Sequence, residues 1–277
     1  MLKDITLGQF FPGVSPLHKA DPRMKIILSL LYIVFIFMAK SVLAYALALV
    51  FTVTLVIISG IKPSIILKAL KPLIFIMLFT AFFNIFWTKG VGEPLFEYKF
   101  IRIYKEGISF AVLMILRIAC ILTGSSVILT YTTSPIALTD GLEQLLAPLK
   151  VIRVPVHEFS MMMTIALRFI PTLIEETDKI MNAQKSRGAD FNSGGLIKRA
   201  KALLPVLIPL FASSFRRAGE LATAMECRCY RGDKGRTRMT QLHYKPVDLL
   251  LLLLMLAFGV GIILLNIYLK DFLGFLI

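Results

Sequence analysis

Two arginines stand where long helices are expected to end, and they are the residues of this chain best suited to binding a partner. Arg187 lies in the run Ser186-Arg187-Gly188, and Arg228 lies in the run Cys227-Arg228-Cys229. A guanidinium offers a planar fork of donors that engages carboxylates in pairs. The same charge at a helix C-terminus also complements the helix dipole. From the spacing alone, partner docking and dipole complementation both stay open.

The other residues capable of chemistry do not form a recognisable site. Cys227-Arg228-Cys229 contains one C-x-C pair, whereas a structural zinc site needs a second pair or histidines at set spacing. His157-Glu158 lacks the second histidine that a metalloprotease helix carries one turn later. The neighbouring Glu175-Glu176 point apart on a helix, so we expect both to be solvated. Without a P-loop or a dinucleotide-binding glycine pattern, the sequence predicts no catalysis, metal or cofactor in this chain.

Composition indicates a membrane protein. The 277-residue chain is 57% hydrophobic and 17% charged, and its mean hydropathy is +0.79. A soluble domain rarely reaches such values, because it must cover its surface with polar groups. The net charge is +14, but the cations fall mostly between apolar runs, where membrane orientation explains them better than nucleic-acid binding. We predict an all-α polytopic membrane protein that binds no nucleic acid.

Five apolar runs are candidate transmembrane helices, because a spanning helix needs about 20 mostly apolar residues. Their continuous apolar character disfavours membrane β-strands, which alternate. Polar residues within them are few, and Arg117 is expected either to be buried against a partner or to reach the interface. The five runs are Met24–Ala39, Val42–Gly60, Pro72–Trp87, Ile108–Thr130 and Val247–Leu269.

The positive charges predict the orientation of the spans, because cytoplasmic loops carry an excess of lysine and arginine. Residues 132–246 hold 17 of the 31 such residues. We therefore place this stretch, the second loop and the N-terminus in the cytoplasm, and the loop around Lys40 outside. The third loop, between the third and fourth spans, departs from this rule because it carries four cations on the predicted outer side. The predicted domains are residues 1–131 with four spans, 132–246 in the cytoplasm and 247–277 with the last span.

The predicted cytoplasmic stretch contains a loose internal repeat. In each copy an Ile-Pro step leads into an amphipathic helix that ends at an arginine, 16 residues after Pro171 and 19 after Pro209. Proline kinks a helix, and such segments suit helices lying against a membrane domain. Val156–Ile174 and Leu203–Phe211 are the apolar parts of the two copies. Asn192–Gly195 is the predicted turn between them.

At these motifs the sequence resembles the transmembrane T component of energy-coupling factor (ECF) transporters. The resemblance is carried by LRFIPTLIEETDKIMNAQKSRGADF at Leu167–Phe191 and RRAGELATAMECRCYRG at Arg216–Gly232. Further matching runs are LGQFFPGVSPLHKADPRMK near the start, TTSP at Thr132–Pro135, and APLK before the first long helix. The resemblance covers nearly the whole chain.

The resemblance implies an energy-coupling membrane scaffold of an ECF-type ABC importer in a prokaryotic cell membrane, with about five spans and long cytoplasmic coupling helices. It implies that two ABC ATPase subunits, which bind ATP-Mg themselves, receive the two arginine motifs in grooves. It also implies a small substrate-binding membrane subunit, often for a vitamin, on the other face of the coupling helices. Residues expected to supply that apolar face, unless they pack within the chain, are Met161, Met162, Leu203, Leu207 and Phe211.

The second motif departs from the family pattern, which is usually Ala-Arg-Gly where this chain has Cys227-Arg228-Cys229. A glycine there ends a helix easily in a left-handed turn. Gly232 lies near enough to end the helix later, so the sequence leaves the end of this helix open.

Two other functions compete with the scaffold. A conventional ABC importer permease, which forms the whole substrate path, would have a shorter coupling loop and more polar residues in its spans. A membrane enzyme acting on lipid would need clustered His, Asp or Glu at the interface, which the sequence does not offer. The permease remains the alternative.

Overall fold

The computed structural model describes residues 10–87, 96–98, 101–189, 191, 195–232 and 241–268. These residues form mostly α-helix, as predicted, with one antiparallel hairpin of two three-residue strands, β1 (Phe96–Tyr98) and β2 (Ile101–Ile103). The helices are α1 (Pro16–Lys19), α2 (Pro22–Met38), α3 (Val42–Ser59), α4 (Pro63–Leu70), α5 (Ile74–Trp87), α6 (Lys105–Ser125), α7 (Pro135–Leu145), α8 (Val156–Ser186), α9 (Leu196–Cys227) and α10 (Pro246–Tyr268).

The described residues divide into two compact units. Residues 10–142 and 241–268 form one unit, which contains α1 to α6, most of α7, and α10. Residues 143–232 form the other unit, which contains α8 and α9. The predicted domain boundaries after residues 131 and 246 stay a prediction. Residues 192–194 of the predicted turn, and Lys89 and Lys99 of the third loop, lie outside the described residues.

Four helical stretches of the described chain are long and apolar enough to cross a membrane. They correspond to the last four predicted spans. The span predicted at Pro72–Trp87 began too late, because the helical path continues from α4 through a 3-10 turn at Lys71–Leu73 into α5. Lys68 and Lys71, predicted in a loop, therefore lie within this path. The four stretches are Val42–Ser59, Pro63–Trp87, Glu106–Tyr131 and Pro246–Tyr268.

The first predicted span is α2, and side chains of α10 hold it at both ends. At the start, Asp248 Oδ1 accepts the backbone N–H of Asp21 at 2.8 Å. At the other end, Asn266 Oδ1 accepts the N–H of Lys40 at 3.1 Å, and Asn266 Nδ2 donates to the carbonyl of Met38 at 2.7 Å. The two helices therefore run parallel over the same length. The 17 residues of α2 cover about 26 Å, close to the hydrocarbon thickness of about 30 Å.

A buried tyrosine marks the centre of the membrane unit. The Tyr32 hydroxyl donates to the carbonyl of Cys120 at 2.8 Å and lies 2.7 Å from Thr52 Oγ1, which satisfies a polar group that would be costly in an apolar core. The rings of Phe51 and Phe258 stack beside it with centroids 4.1 Å apart. Tyr32 thus joins α2 to α3, α6 and α10.

Polar residues at the N-cap and in the first turn of α2 form a second buried centre, which the sequence did not reveal. Asp21 caps α2 by accepting the N–H of Arg23 at 2.9 Å. Lys25 is buried, and its Nζ donates to the carbonyl of Thr132 at 2.8 Å. Arg23 Nη2 donates to the carbonyl of Leu242 at 2.7 Å. These bonds join the start of α2 to the segments that follow α6 and precede α10.

Candidate functional site

The two predicted amphipathic helices are present as α8, of 31 residues, and α9, of 32 residues. Both continue through their internal prolines, Pro171 in α8 and Pro205 and Pro209 in α9. Each is therefore one long element, and α8 and α9 pack against one another. This arrangement brings both arginine motifs into the same compact unit.

The first arginine motif forms the C-terminal turn known as a Schellman motif. Arg187 is the C-cap of α8, and Gly188 follows with φ at +88°. The N–H of Gly188 donates to the carbonyl of Lys185 at 2.9 Å, and the N–H of Ala189 donates to that of Gln184 at 3.0 Å. Two carbonyls of the last turn are thereby satisfied.

The second motif forms the same turn although it lacks the glycine. Arg228 is the C-cap of α9, and Cys229 follows in the left-handed conformation with φ at +56°. The N–H of Cys229 donates to the carbonyl of Glu226 at 2.9 Å, and the N–H of Tyr230 donates to that of Met225 at 3.0 Å. The helix therefore ends at Cys227 and does not continue toward Gly232, because these two bonds stabilise the turn at Cys229 itself.

The side chains of both motifs are open to the surroundings. Arg187 and Arg228 are exposed, and no hydrogen bond or ion pair joins either guanidinium to another residue of the described chain. Ser186 Oγ donates back to the carbonyl of Asn182 at 3.1 Å, and Cys227 and Cys229 are exposed free thiols. Two equivalent helix ends thus each present an arginine that can accept a partner.

The predicted apolar surface is largely exposed on α8 and α9. Met162, Leu203, Leu207 and Phe211 are exposed, whereas Met161 is half-buried. Six further large apolar residues share this exposure and were not singled out from the sequence, although those on α9 follow at helical spacing. They are Phe159, Met163, Ile197, Leu204, Ile208 and Phe215.

The expectation that Glu175 and Glu176 are both solvated is wrong for Glu176. Glu176 Oε2 pairs with Arg217 Nη2 at 2.6 Å, and both side chains are partly buried. Glu175 is exposed, as expected. The sequence could not reveal this pair, because its partners are 41 residues apart on different helices.

Arg117 forms hydrogen bonds inside the chain through Nη2, whereas its buried Nε has no hydrogen-bond partner among the described residues. Its Nη2 donates to the carbonyl of Ala39 at 3.1 Å and to the hydroxyl of Tyr45, and its guanidinium lies 5.3 Å from the centre of the Tyr45 ring. This contact joins Arg117 to the end of α2, and its burial against a partner or reach to the interface stays a prediction. Asn84 Nδ2 likewise donates to the carbonyl of Thr80 within α5 at 2.8 Å.

Among the described residues, no group of three or more His, Cys, Asp and Glu side chains could hold a metal ion. His157 Nδ1 lies 3.0 Å from Glu143 Oε1, so this histidine is engaged with a carboxylate of its own unit.

The described chain combines apolar spanning helices with two long helices that end in open arginines, which defines an all-α polytopic membrane protein. A family model described as a cobalt transport protein (CbiQ) matches residues 13–239. The chain is 54% identical to the energy-coupling factor transporter transmembrane protein EcfT of Ruminiclostridium cellulolyticum over 266 residues. These residues are 96% of this chain and 98% of that protein. It is 55% identical to EcfT of Clostridium kluyveri over 90% of this chain and 92% of that protein.

A more distant relative has the same name. EcfT of Bacillus subtilis is 45% identical over 248 residues, which are 90% of this chain and 93% of that protein. The chain belongs to the EcfT family of energy-coupling factor transporter transmembrane proteins. The resemblance found in the sequence is confirmed, and the chain is a membrane component of an energy-coupling factor transporter.

Proposed function

We propose that this chain is the non-catalytic energy-coupling scaffold of an ECF-type importer in a prokaryotic cell membrane, with its N-terminus in the cytoplasm. It transmits ATP-driven motion of two cytoplasmic ABC ATPases to a small substrate-binding membrane subunit for a vitamin or another micronutrient. The observation that carries the proposal is the pair of helix ends at Arg187 and Arg228. Both ends form the same type of backbone turn, and both leave the guanidinium without a partner in the described chain.

The equivalence of the two ends supports two related partners. Each arginine follows the last helical residue directly and precedes a residue in the left-handed conformation. The guanidinium is therefore presented in the same local frame at both ends. A planar fork held in this way suits a groove lined by carboxylates or carbonyls, and two homologous ATPases offer two such grooves.

The exposed apolar residues of α8 and α9 support a membrane-embedded partner. Large apolar patches on an otherwise amphipathic surface mark interaction sites. Methionines such as Met162 and Met163 adapt to a partner that moves during the cycle, because their side chains are flexible and polarizable. We assign the small substrate-binding subunit to the surface formed by Met161, Met162, Leu203, Leu207 and Phe211.

A conventional permease is less well supported. A chain that forms the whole substrate path places polar groups along its spans. Asn84 and Arg117, which lie within the predicted spans, both bond within the chain. The scaffold needs no such path, because the substrate is bound by another subunit.

Loss of both arginines tests the proposal. The chain is coexpressed with the ATPases and the small membrane subunit of its own transporter. Truncation of one member of a buried charged contact costs about 2–5 kcal/mol. Arg187→Ala or Arg228→Ala should therefore weaken ATPase retention during purification, and the double variant should nearly abolish it. Lysine at either position should rescue poorly, because it provides a point charge instead of a fork.

The matched controls are the exposed cations Lys198, Arg199 and Lys201, where alanine should cost little beyond salt-sensitive association. A double arginine variant that still retains both ATPases, in a complex that hydrolyses ATP normally, would refute the docking assignment. The purified chain alone should not bind ATP, and saturable nucleotide binding by it would contradict the scaffold function.

A further inference from the structure

Glu176 and Arg217 lie at matching positions relative to the two open arginines. Glu176 precedes Arg187 by 11 residues, and Arg217 precedes Arg228 by 11 residues. Eleven residues make about three helical turns and about 16 Å of helix. The contact between Arg217 Nη2 and Glu176 Oε2, at 2.6 Å, therefore joins α8 and α9 at a point equally far from both ends.

The contact between Glu176 and Arg217 is suited to hold α8 and α9 in one relative position. The side chains of Arg217 and Glu176 are only 31% and 21% exposed, so water screens their charges less than at an open surface. An ionised donor and acceptor at this distance form a strong, directional hydrogen bond. On α9, Arg217 follows the buried Val206 and Ser213 at 11 and 4 residues, which places all three on one face.

The adjacent charges provide an internal comparison. Glu175 and Arg216 are one residue away from the pair, are exposed, and form no bond within the described part of the chain. Each helix therefore carries one residue type side by side in a paired and an open form, glutamate on α8 and arginine on α9. Any effect of charge alone should be similar for the open residues and for the paired residues, whereas an effect of the ion pair should be confined to Glu176 and Arg217.

We infer that Glu176 and Arg217 are positioning residues that set the angle between α8 and α9, and so the spacing of the two docking ends. The inference rests on the proposed function. With arms of about 16 Å, a change of about 20° in the crossing angle moves an end by on the order of 5 Å. Because the gain from two linked contacts is lost when geometry forbids simultaneous engagement, such a shift prevents the docking of both arginines at once.

The angle is measured on the full chain in lipid nanodiscs. Ala183 and Ala224 are exposed and each lies four residues before its arginine, so cysteines there carry spin labels after the native cysteines are replaced. The labelled positions lie seven residues beyond the pair, or about 10 Å of helix. Glu176→Arg or Arg217→Glu should therefore shift or broaden the distance distribution by about 3–4 Å, and the double exchange should restore it. Glu176→Gln, which keeps the side-chain shape, should cause a smaller change in the same direction.

The same substitutions are then placed in the unlabelled chain and purified with its ATPases. Each single reversal should lose ATPase, the double exchange should regain it, and Glu175→Arg and Arg216→Glu should do neither. The inference is overturned if the reversals leave the distances unchanged, if the exchange restores neither distance nor docking, or if the distances shift while both ATPases stay bound. Failure of the proposed function looks different, because the Arg187→Ala, Arg228→Ala variant then retains its ATPases.

Discussion

Cys229 occupies the left-handed position that Gly188 occupies in the first motif, with φ at +56° against +88°. A residue with a Cβ pays about 1–2 kcal/mol for that conformation, whereas glycine adopts it freely. The second docking end is therefore held by its two backbone hydrogen bonds against a local strain that the first end does not have.

This difference predicts opposite results for two substitutions. Cys229→Gly should stabilise the last turn of α9 by about 1 kcal/mol, and Gly188→Ala should destabilise the last turn of α8 by a similar amount. Amide hydrogen exchange at Tyr230 and Ala189, whose N–H groups close the two turns, measures both effects locally. Exchange that slows in both variants, or in neither, would show that the backbone strain is absent.

Arg117 is predicted to stabilise the membrane unit through the end of α2. Arg117→Leu removes the donor to the Ala39 carbonyl and leaves that acceptor unpaired, which costs about 1–3 kcal/mol. Tyr45→Phe is the milder comparison, because it removes only a hydroxyl that contacts the guanidinium. Thermal unfolding in detergent measures both. Equal melting temperatures for Arg117→Leu and the unmodified chain would contradict this role.

Close packing of the spanning helices depends on small residues at particular contacts. A Cβ added to Gly124 of α6 would lie 2.3 Å from the ring of Tyr32, and that ring is held by the hydrogen bond to Cys120. The backbones of membrane helices approach closely where such residues occur. The contact between α2 and α6 therefore has room only for glycine at position 124.

Gly124→Ala should accordingly destabilise the chain by about 1–3 kcal/mol, because the tyrosine or the helix must shift. Gly219 is the matched control in the interior of α9, since a Cβ there meets nothing within 4 Å. Gly219→Ala should stabilise by about 0.5–1 kcal/mol through helix propensity. Thermal unfolding of the two single variants compares them directly, and a stabilised Gly124→Ala variant would refute the packing argument.

Orientation of the whole molecule can be tested with the chain's own thiols. Cys227 and Cys229 are exposed, whereas Cys120 is buried. The positive-inside rule predicts that the two exposed cysteines face the cytoplasm and that Lys40, also exposed, faces outside. The predicted inner turn at Gly194 lies outside the described residues, so the native thiols replace it as the inner reference.

An impermeant maleimide applied to intact cells should label a Lys40→Cys variant that lacks the native cysteines. It should label Cys227 and Cys229 of the unmodified chain only after the membrane is opened. The physical reason is the asymmetry of lysine and arginine between the loops, with 17 of 31 in residues 132–246. Equal access at both sites, or the reverse order, would overturn the predicted orientation.

The spanning helices and the helix ends with their arginines were largely determined by the sequence. The last span, predicted at Val247–Leu269, is α10 at Pro246–Tyr268, and the second, predicted at Val42–Gly60, is α3 at Val42–Ser59. A bilayer demands a continuous apolar run of fixed length, and such a run is visible without any partner. The arginine motifs were equally visible, because a helix end depends on neighbouring residues.

The contacts between helices were decided only by the tertiary structure. Glu176 meets Arg217 across 41 residues, and Arg117 meets the Ala39 carbonyl across 78. The left-handed turn at Cys229 also opposed the local preference of a residue with a Cβ, which is why the sequence left the end of this helix open. The physical reason is common to all three cases. Periodicity and propensity describe a helix and its neighbours along the chain, whereas a paired charge or a strained turn depends on long-range packing or on hydrogen bonds that outweigh local preference.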